Sequence, residues 1–235
     1  MIALDPTPDR DAHGRDGTGR RWTPGARLVG DEPEVEPADG APTVGVLALQ
    51  GDVLEHLRAL RRCGARAVEV RTPADLEAVE GIVLPGGEST TIGKLLERSG
   101  LLEPLRERIR AGLPAFGTCA GMILLSAELA QDRVQPLLGL LGVRTRRNAY
   151  GRQVDSFDVA LDVTGIDGGP VDVSFIRAPR VEEVLSDDVE VLAEVDGHPV
   201  VVRQGRILAA AFHPEVTGDD RLHRSFVALV SSTRG

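Results

Sequence analysis

Short apolar runs alternate with segments of helical periodicity from residue 43 onward. The runs TVGVLAL, ARAVEV, GIVLPGG and PAFGT are typical of buried strands. After the first run, Val53, Leu57 and Leu60 recur at helical spacing and predict a helix. Further helices are predicted over 90–99, 104–111 and 120–130. Because strands and helices alternate, the pattern predicts a parallel sheet with helices on both faces.

The second half of the chain has a different pattern, with several apolar runs separated by short turns. The runs VDSFDVALDV, VDVSFIRA, VEVLAEV, PVVVRQG and RILAAAFH are predicted to be strands, some of them antiparallel. A last helix is predicted over 219–231, with Asp219 or Asp220 as its cap. The predicted fold class is therefore α/β, a three-layer sandwich with a mixed, mostly parallel central sheet.

The segment 1–42 differs in composition, because it is rich in Pro and Gly and has few large apolar residues. Such a segment buries too little surface to offset chain entropy. It is predicted to be a disordered extension, and 43–235 to form the functional domain.

Charge and cysteine content narrow the class of protein. The formal net charge is −9 and the pI is about 5.1, which argues against a nucleic-acid binder. We expect no membrane span, because no run of 18 apolar residues occurs, and no basic, apolar signal segment opens the chain. The two cysteines form no disulfide framework, and no CxxC or HExxH pattern indicates a metal site. A reduced, cytoplasmic protein is expected.

Cys119 lies between glycines in GTCAG, where a predicted strand passes into a predicted helix. Glycines permit a tight strand-to-helix turn, and G-x-C-x-G matches a nucleophile elbow with sulfur in place of hydroxyl. The helix N-terminus would favour negative charge on sulfur, and the amide of Ala120 could serve an oxyanion. Taken alone, this frame fits a small buried cysteine equally well. Cys63 lies within the predicted helical segment LRALRRC and has no activating neighbour in the sequence.

A cysteine nucleophile needs a base, and His213 is the candidate favoured among the five histidines. It follows an apolar strand in AAAFHPEV, and such strand ends gather functional groups in parallel sheets. Pro214 favours an extended conformation at His213, which would place Glu215 on the same side of the chain. The predicted triad is Cys119, His213 and Glu215.

These residues resemble the class I glutamine amidotransferase family, which has GTCAG early and HPE late. Four further segments are similar to the glutaminase subunits of two-part pyridoxal 5'-phosphate synthases: GVLALQGDVLEHLRAL, LPGGESTTI, RRNAYGRQVDSF and FIRAP. The resemblance covers roughly residues 44–230. PGGEST and NAYGRQVDSF are far more specific than the elbow.

The resemblance implies the chemistry. Cys119 would attack the carboxamide of L-glutamine, His213 would pass a proton to ammonia, and Glu215 would orient His213. Glutamate and ammonia result, without a metal or cofactor. Ammonia would pass through a tunnel to a synthase subunit in a hetero-oligomeric complex.

The resemblance also implies binding residues. Those expected to line the glutamine site are Gly86, Gly87, Glu88, Ser89, Arg147, Ile176 and Arg177. The oxyanion hole is expected from the Gln50-Gly51 turn and Ala120, and is completed when the partner docks. Without the resemblance, Glu88 fits a solvated turn and Arg147 a surface basic cluster. GGESTTIGKLL fails the P-loop template, because Leu95 follows Lys94.

The sequence is also compatible with three other functions. One is another amidotransferase subunit, such as that of histidine biosynthesis, against which GGEST and FIRAP argue. Another is a stress or chaperone protein of the DJ-1 type, which has an elbow cysteine and no need of HPE. The last is a binding subunit with a vestigial triad.

Overall fold

A computed structural model describes residues 37–131, 134–147 and 156–233 of the chain. Apart from 37–42, the extension predicted for 1–42 lies outside the described residues. All described residues fall in one compact unit. The strands are β1 (Thr43–Leu47), β2 (Arg66–Val70), β3 (Gly81–Leu84), β4 (Ala115–Thr118), β5 (Ser126–Leu129), β6 (Leu141–Arg146), β7 (Ser156–Leu161), β8 (Val171–Ile176), β9 (Arg180–Val184), β10 (Val189–Val195), β11 (His198–Gln204) and β12 (Ile207–Ala210). The helices are α1 (Val53–Arg62), α2 (Pro73–Glu77), α3 (Ser89–Arg98), α4 (Leu102–Arg110), α5 (Ala120–Leu125), α6 (Pro214–Thr217) and α7 (Arg221–Ser232).

The central sheet has seven strands within the described part of the chain, in the order β10-β11-β12-β4-β3-β1-β2. The five strands from β12 to β2 are parallel to one another, whereas β10 and β11 add antiparallel pairs at one edge. The predicted mixed, mostly parallel sheet is therefore confirmed.

Helices cover both faces of this sheet. The connection from β1 to β2 moves outward along the sheet, and the connections from β2 to β3 and from β3 to β4 move the other way. Because such crossovers are right-handed, α1 lies on one face and α2, α3 and α4 lie on the other. Accordingly α1 packs with α7, while α3 packs with α4 and α5. The three-layer arrangement is confirmed.

The helix predicted over 120–130 is wrong in its second half, because α5 ends at Leu125 and Ser126–Leu129 forms β5. The carbonyl of Leu124 accepts from the amide of Leu138 at 2.6 Å, and that of Leu125 accepts from Leu140 at 2.8 Å. The returning chain thus takes the carbonyls that a longer helix would use. Strands β5, β6 and β9 form a small second sheet, and β7 pairs with β8.

The last helix begins at Arg221, two residues later than predicted. Asp220 occupies the cap position without a side-chain cap hydrogen bond. Asp219 instead accepts from the amide of Arg221 at 3.1 Å and from its guanidinium. One face of this helix packs into the core, since Leu222 and Phe226 are fully buried.

Four neighbouring parallel strands carry the predicted chemistry at their carboxyl ends. In sheet order these are β12, β4, β3 and β1. The residues that follow them are His213, Cys119, Gly86 and Gln50, respectively. Carboxyl ends of parallel strands meet at one edge of a sheet, so residues far apart in the chain converge there.

Candidate active site

Cys119 occupies a strained turn between β4 and α5. Its φ of +46° and ψ of −102° lie in a region that costs a non-glycine residue roughly 1–3 kcal/mol. A Cβ on Gly121 would lie 2.0 Å from the carbonyl oxygen of Leu84, and a Cβ on Gly117 would lie 2.8 Å from the carbonyl oxygen of Gly121. The predicted strand–turn–helix elbow is therefore present, and neither flanking glycine has space for a side chain.

His213 meets Glu215 directly. Nδ1 of His213 lies 2.7 Å from Oε1 of Glu215, and both side chains are buried. The predicted contact is present, but the predicted reason for it is wrong. Glu215 does not continue an extended chain, because Pro214 begins α6 and His213 is its N-cap residue. The first helical turn brings the carboxylate back to the imidazole that precedes it.

Asp52 is a second carboxylate on the same imidazole, and sequence reasoning gave it no role in the site. Its Oδ2 lies 3.3 Å from Nδ1 of His213. Asp52 precedes α1 and makes no side-chain cap hydrogen bond there. The available signal was an acidic residue directly before α1, in the turn that follows β1 at the site edge of the sheet.

The electrostatics of the cluster favour an imidazolium. Burial lowers the pKa of His213, but hydrogen bonds with Asp52, Cys119 and Glu215 outweigh it and raise that pKa to about 12. The hydrogen bond to His213 lowers the pKa of Asp52. Burial raises the pKa of Glu215, against the effect of its hydrogen bond to His213. A proton donor is therefore held beside the Cys119 sulfur by two carboxylates.

Asp52, His213 and Glu215 also offer three ligand atoms within 4.8 Å of one another. The imidazole hydrogen on Nδ1 accounts for this spacing without an ion, because each carboxylate faces that nitrogen. The arrangement is that of a hydrogen-bonded histidine with an orienting carboxylate.

The predicted oxyanion residues lie around the elbow. Ala120 is buried and begins α5 directly after Cys119. Gly51 has a φ of +108°, and a Cβ there would lie 1.8 Å from the carbonyl oxygen of Gly86. Oε1 of Gln50 accepts from the amide of Glu88 at 2.8 Å. Since the Gln50 side chain is committed to the neighbouring loop, its contribution would come from the backbone.

Glu88 and Arg147 are brought together. Glu88 caps α3 by accepting from the amides of Thr90 and Thr91, and it pairs with the guanidinium of Arg147. Burial opposes ionisation, but hydrogen bonds from Thr91 and Thr90 and the Arg147 charge lower the pKa of Glu88 to about 2. Arg147 also donates to Oγ1 of Thr90 at 2.6 Å. The two predicted binding residues thus form one charged unit.

Gln135 belongs to the same network, although no sequence motif indicated it. Its Oε1 accepts from Ser89, Thr90 and Arg147 at 3.0–3.2 Å. Its buried Nε2 has no hydrogen-bond partner among the described residues. Gln135 lies in a loop without regular structure, so periodicity gave no signal for it.

Ile176 and Arg177 lie at the end of β8. Ile176 is partly exposed, and Arg177 has a φ of +46°. The carbonyl of Ser174 accepts from the amide of His213 at 3.0 Å, which ties β8 to the site edge. Part of the NAYGRQVDSF segment, residues 148–155, lies outside the described residues.

No helix in the described ranges is long and apolar enough to cross a membrane.

Comparison with known proteins finds relatives that agree with one another in family and fold. Residues 46–232 match the model of the SNO glutamine amidotransferase family. The chain is 61% identical to pyridoxal 5'-phosphate synthase subunit PdxT of Frankia alni, covering 82% of this chain and 96% of that protein. It is 59% identical to the same subunit of Mycobacteroides abscessus, covering 81% and 98%. A crystal structure of a glutamine amidotransferase superposes with a TM-score of 0.76 at 50% identity, covering 80% and 98%. The structure of PurLQS from Thermotoga maritima shares the fold at 18% identity and a TM-score of 0.55, covering 83% and 100%.

Proposed function

The chain belongs to the SNO glutamine amidotransferase family, and we propose that it hydrolyses L-glutamine to L-glutamate and ammonia through Cys119, His213 and Glu215. The observation that carries this proposal is the 2.7 Å contact between His213 and Glu215 at the sheet edge where the elbow holds Cys119. A cysteine, a histidine and an orienting carboxylate form a nucleophilic triad.

The first half of the reaction forms a thioester. The Cys119 sulfur attacks the side-chain carbonyl carbon of glutamine, and the carbonyl oxygen becomes an oxyanion. The amide of Ala120 and the Gln50-Gly51 turn stabilise that oxyanion. The C–N bond then breaks as His213 gives its proton to the leaving nitrogen, which departs as ammonia. The raised pKa keeps His213 protonated before the attack, and Cys119 contributes to that rise, so the attack on glutamine removes part of what holds the proton on the imidazole.

The second half releases glutamate. The now neutral His213 takes a proton from water as the water attacks the γ-glutamyl thioester. The C–S bond breaks, glutamate leaves, and the ion pair of the resting site is restored. Glu215 stabilises the imidazolium at each stage in which it forms.

The charged pair near α3 suits the amino acid end of the substrate. Glu88 offers a carboxylate to the glutamine ammonium, and Arg147 offers a guanidinium to its α-carboxylate. We assign Gly86, Gly87 and Ser89 to the same pocket, where they form the loop that approaches the ligand. In this proposal, Ile176 and Arg177 lie at the end of β8 and complete the pocket.

Ammonia from this site would serve a partner. The relatives in Frankia alni and Mycobacteroides abscessus are named as subunits of pyridoxal 5'-phosphate synthase. This chain is accordingly the glutaminase subunit of such a synthase, and acts in a complex with the synthase subunit. Docking completes the oxyanion hole by reorienting the Gln50-Gly51 turn. The location that we propose is the cytoplasm, whose reducing conditions suit the two free cysteines.

Covalent labelling tests the triad. A diazo-ketone analogue of glutamine should alkylate Cys119 in the full chain bound to its synthase subunit. Peptide mass spectrometry would identify the alkylated residue. Cys63 is the matched control, because burial raises its pKa to about 11 and it lies beside Asp220. Labelling at Cys119 that excess L-glutamine suppresses, with none at Cys63, supports the proposal. Equal labelling of both cysteines, or labelling that glutamine leaves unchanged, would refute it.

A further inference from the structure

A buried chain of polar side chains continues behind Glu215, away from Cys119. Nε2 of His56 lies 3.5 Å from Oε2 of Glu215 and 3.1 Å from Oγ1 of Thr118. Nδ1 of His56 lies 2.9 Å from Nε2 of His223. His56, Thr118 and His223 are completely buried. These contacts link α1, β4 and α7 to the triad carboxylate.

One carboxylate oxygen of Glu215 lacks a hydrogen-bond donor in the part of the chain that the structure describes. Oε1 receives the hydrogen of His213, whereas the buried Oε2 has no hydrogen-bond partner among the described residues. A buried carboxylate oxygen without a donor is costly, and it leaves the carboxylate free to turn or to take a proton. His56 Nε2, at 3.5 Å, is slightly beyond hydrogen-bond distance and faces this oxygen. Active-site hydrogen bonds that are long without substrate commonly shorten in the reacting complex.

The surroundings specify which nitrogen of His56 carries hydrogen. Burial, with His223 and His213 nearby, lowers the pKa of His56 well below its ordinary value, so the ring is neutral and has one N–H. Glu215 acts as a carboxylate in the proposed triad because it faces the His213 imidazolium, so it only accepts, and this favours hydrogen on Nε2 of His56. His56 Nδ1 then accepts from Nε2–H of His223, and the unpartnered atom is the bare Nδ1 of His223. The opposite assignment would bury a donor without an acceptor, which is rarer in proteins.

We propose that His56 is a positioning residue for the glutaminase reaction: its Nε2–H, shared with Oγ1 of Thr118, holds Oε2 of Glu215, and its Nδ1 accepts from His223. This inference rests on the proposed function. A neutral donor suits the position, because it supports the Glu215 charge without placing a second cation beside His213. The same helix boundary supplies Asp52 to Nδ1 of His213, so α1 supports both members of the His213–Glu215 pair.

Two substitutions separate positioning from simple packing. The amide nitrogen of glutamine reaches about as far from Cα as Nε2 of histidine, whereas that of asparagine reaches only to Nδ1. His56→Gln therefore keeps a donor for Glu215, and His56→Asn removes it. We expect His56→Asn to lower kcat roughly 10- to 100-fold with KM little changed, and His56→Gln to keep most of the turnover. Melting temperatures identify any general loss of stability.

A double-mutant cycle adds a readout that packing alone would not move. In a Glu215→Gln background, His56→Asn should cause no further loss of kcat, because the group it supports is already gone. Full additivity would overturn the proposal. So would an unchanged kcat in folded His56→Asn, or equal losses in His56→Gln and His56→Asn at similar melting temperatures.

Histidine-selective 15N NMR of the unaltered chain keeps the proposal testable if His56→Asn does not fold. We expect hydrogen on Nε2 of His56, assigned with the help of His223→Gln, and a bare Nε2 would contradict the proposal. Cys119→Ala separates the two claims. Turnover that survives in Cys119→Ala refutes the proposed function itself, whereas silent Cys119→Ala with fully active His56→Asn refutes only the role of His56.

Discussion

The carboxylate of Asp52 lies 3.3 Å from Nδ1 of His213, on a nitrogen that Glu215 already contacts at 2.7 Å. The two carboxylates differ in their surroundings, because the Asp52 side chain is 41% exposed and that of Glu215 is completely buried. Water screens the first interaction and not the second. They should therefore contribute unequally to the reaction.

Substitution of each carboxylate by its amide tests this ranking. We expect Glu215→Gln to lower kcat/KM for glutamine roughly 10²- to 10⁴-fold, as for loss of acid–base function. Asp52→Asn should lower it roughly 5-fold or less, as for a half-exposed ion pair. Steady-state glutamate release by the complex measures both. A loss in Asp52→Asn as large as that in Glu215→Gln would show that Asp52 is the main partner of His213.

The elbow glycines give a prediction about stability. Gly121→Ala would place a Cβ 2.0 Å from the carbonyl oxygen of Leu84, so the backbone must shift, and we expect a loss of roughly 3 kcal/mol. Gly205→Ala is the control, because its φ of +55° is strained but nothing lies within 4 Å of the added atom. That variant should lose only about 1 kcal/mol. Urea unfolding measures both, and equal losses would contradict the tight contact.

The lowered pKa of Glu88 predicts that the stability of the folded chain depends on pH. Its pKa is about 2 in the folded chain against 4.5 ordinarily, so its stabilisation is complete above pH 4.5 and is lost as pH falls toward 2. At pH 7 we expect Glu88→Ala to lower the free energy of unfolding by about 1 kcal/mol, since it removes the cap of α3. The difference between the two proteins should vanish near pH 2. A difference independent of pH would show that the charge of Glu88 is not involved.

Arg147 and Arg144 form a matched pair for substrate binding. Arg147 contacts Glu88, Thr90 and Gln135, whereas Arg144 pairs with Glu128 and Glu183 on the surface. Arg147→Met removes a charged hydrogen-bond donor and should raise KM for glutamine roughly 10-fold or more, with a smaller change in kcat. Arg144→Met should leave both constants near their original values. An unaltered KM in Arg147→Met would remove this residue from the glutamine site.

Local patterns predicted the elements that carry Cys119 and His213 because strand, turn and helix signals depend on neighbouring residues. The second half of the helix predicted over 120–130 failed for a tertiary reason, since Leu138 and Leu140 take the carbonyls of Leu124 and Leu125. Asp52, Gln135 and His56 reach the site across the sheet or from a loop. Their roles depend on the strand order, which no local pattern contains.

Glutamate release from L-glutamine, measured with and without the cognate synthase subunit, shows whether this chain is a glutaminase that depends on Cys119. Cys119→Ala and Cys63→Ala serve as controls in the same assay. We expect release that appears or rises sharply with the partner, persists in Cys63→Ala and is abolished in Cys119→Ala. No release from the folded chain in a proven complex, or undiminished release in Cys119→Ala, would contradict the account.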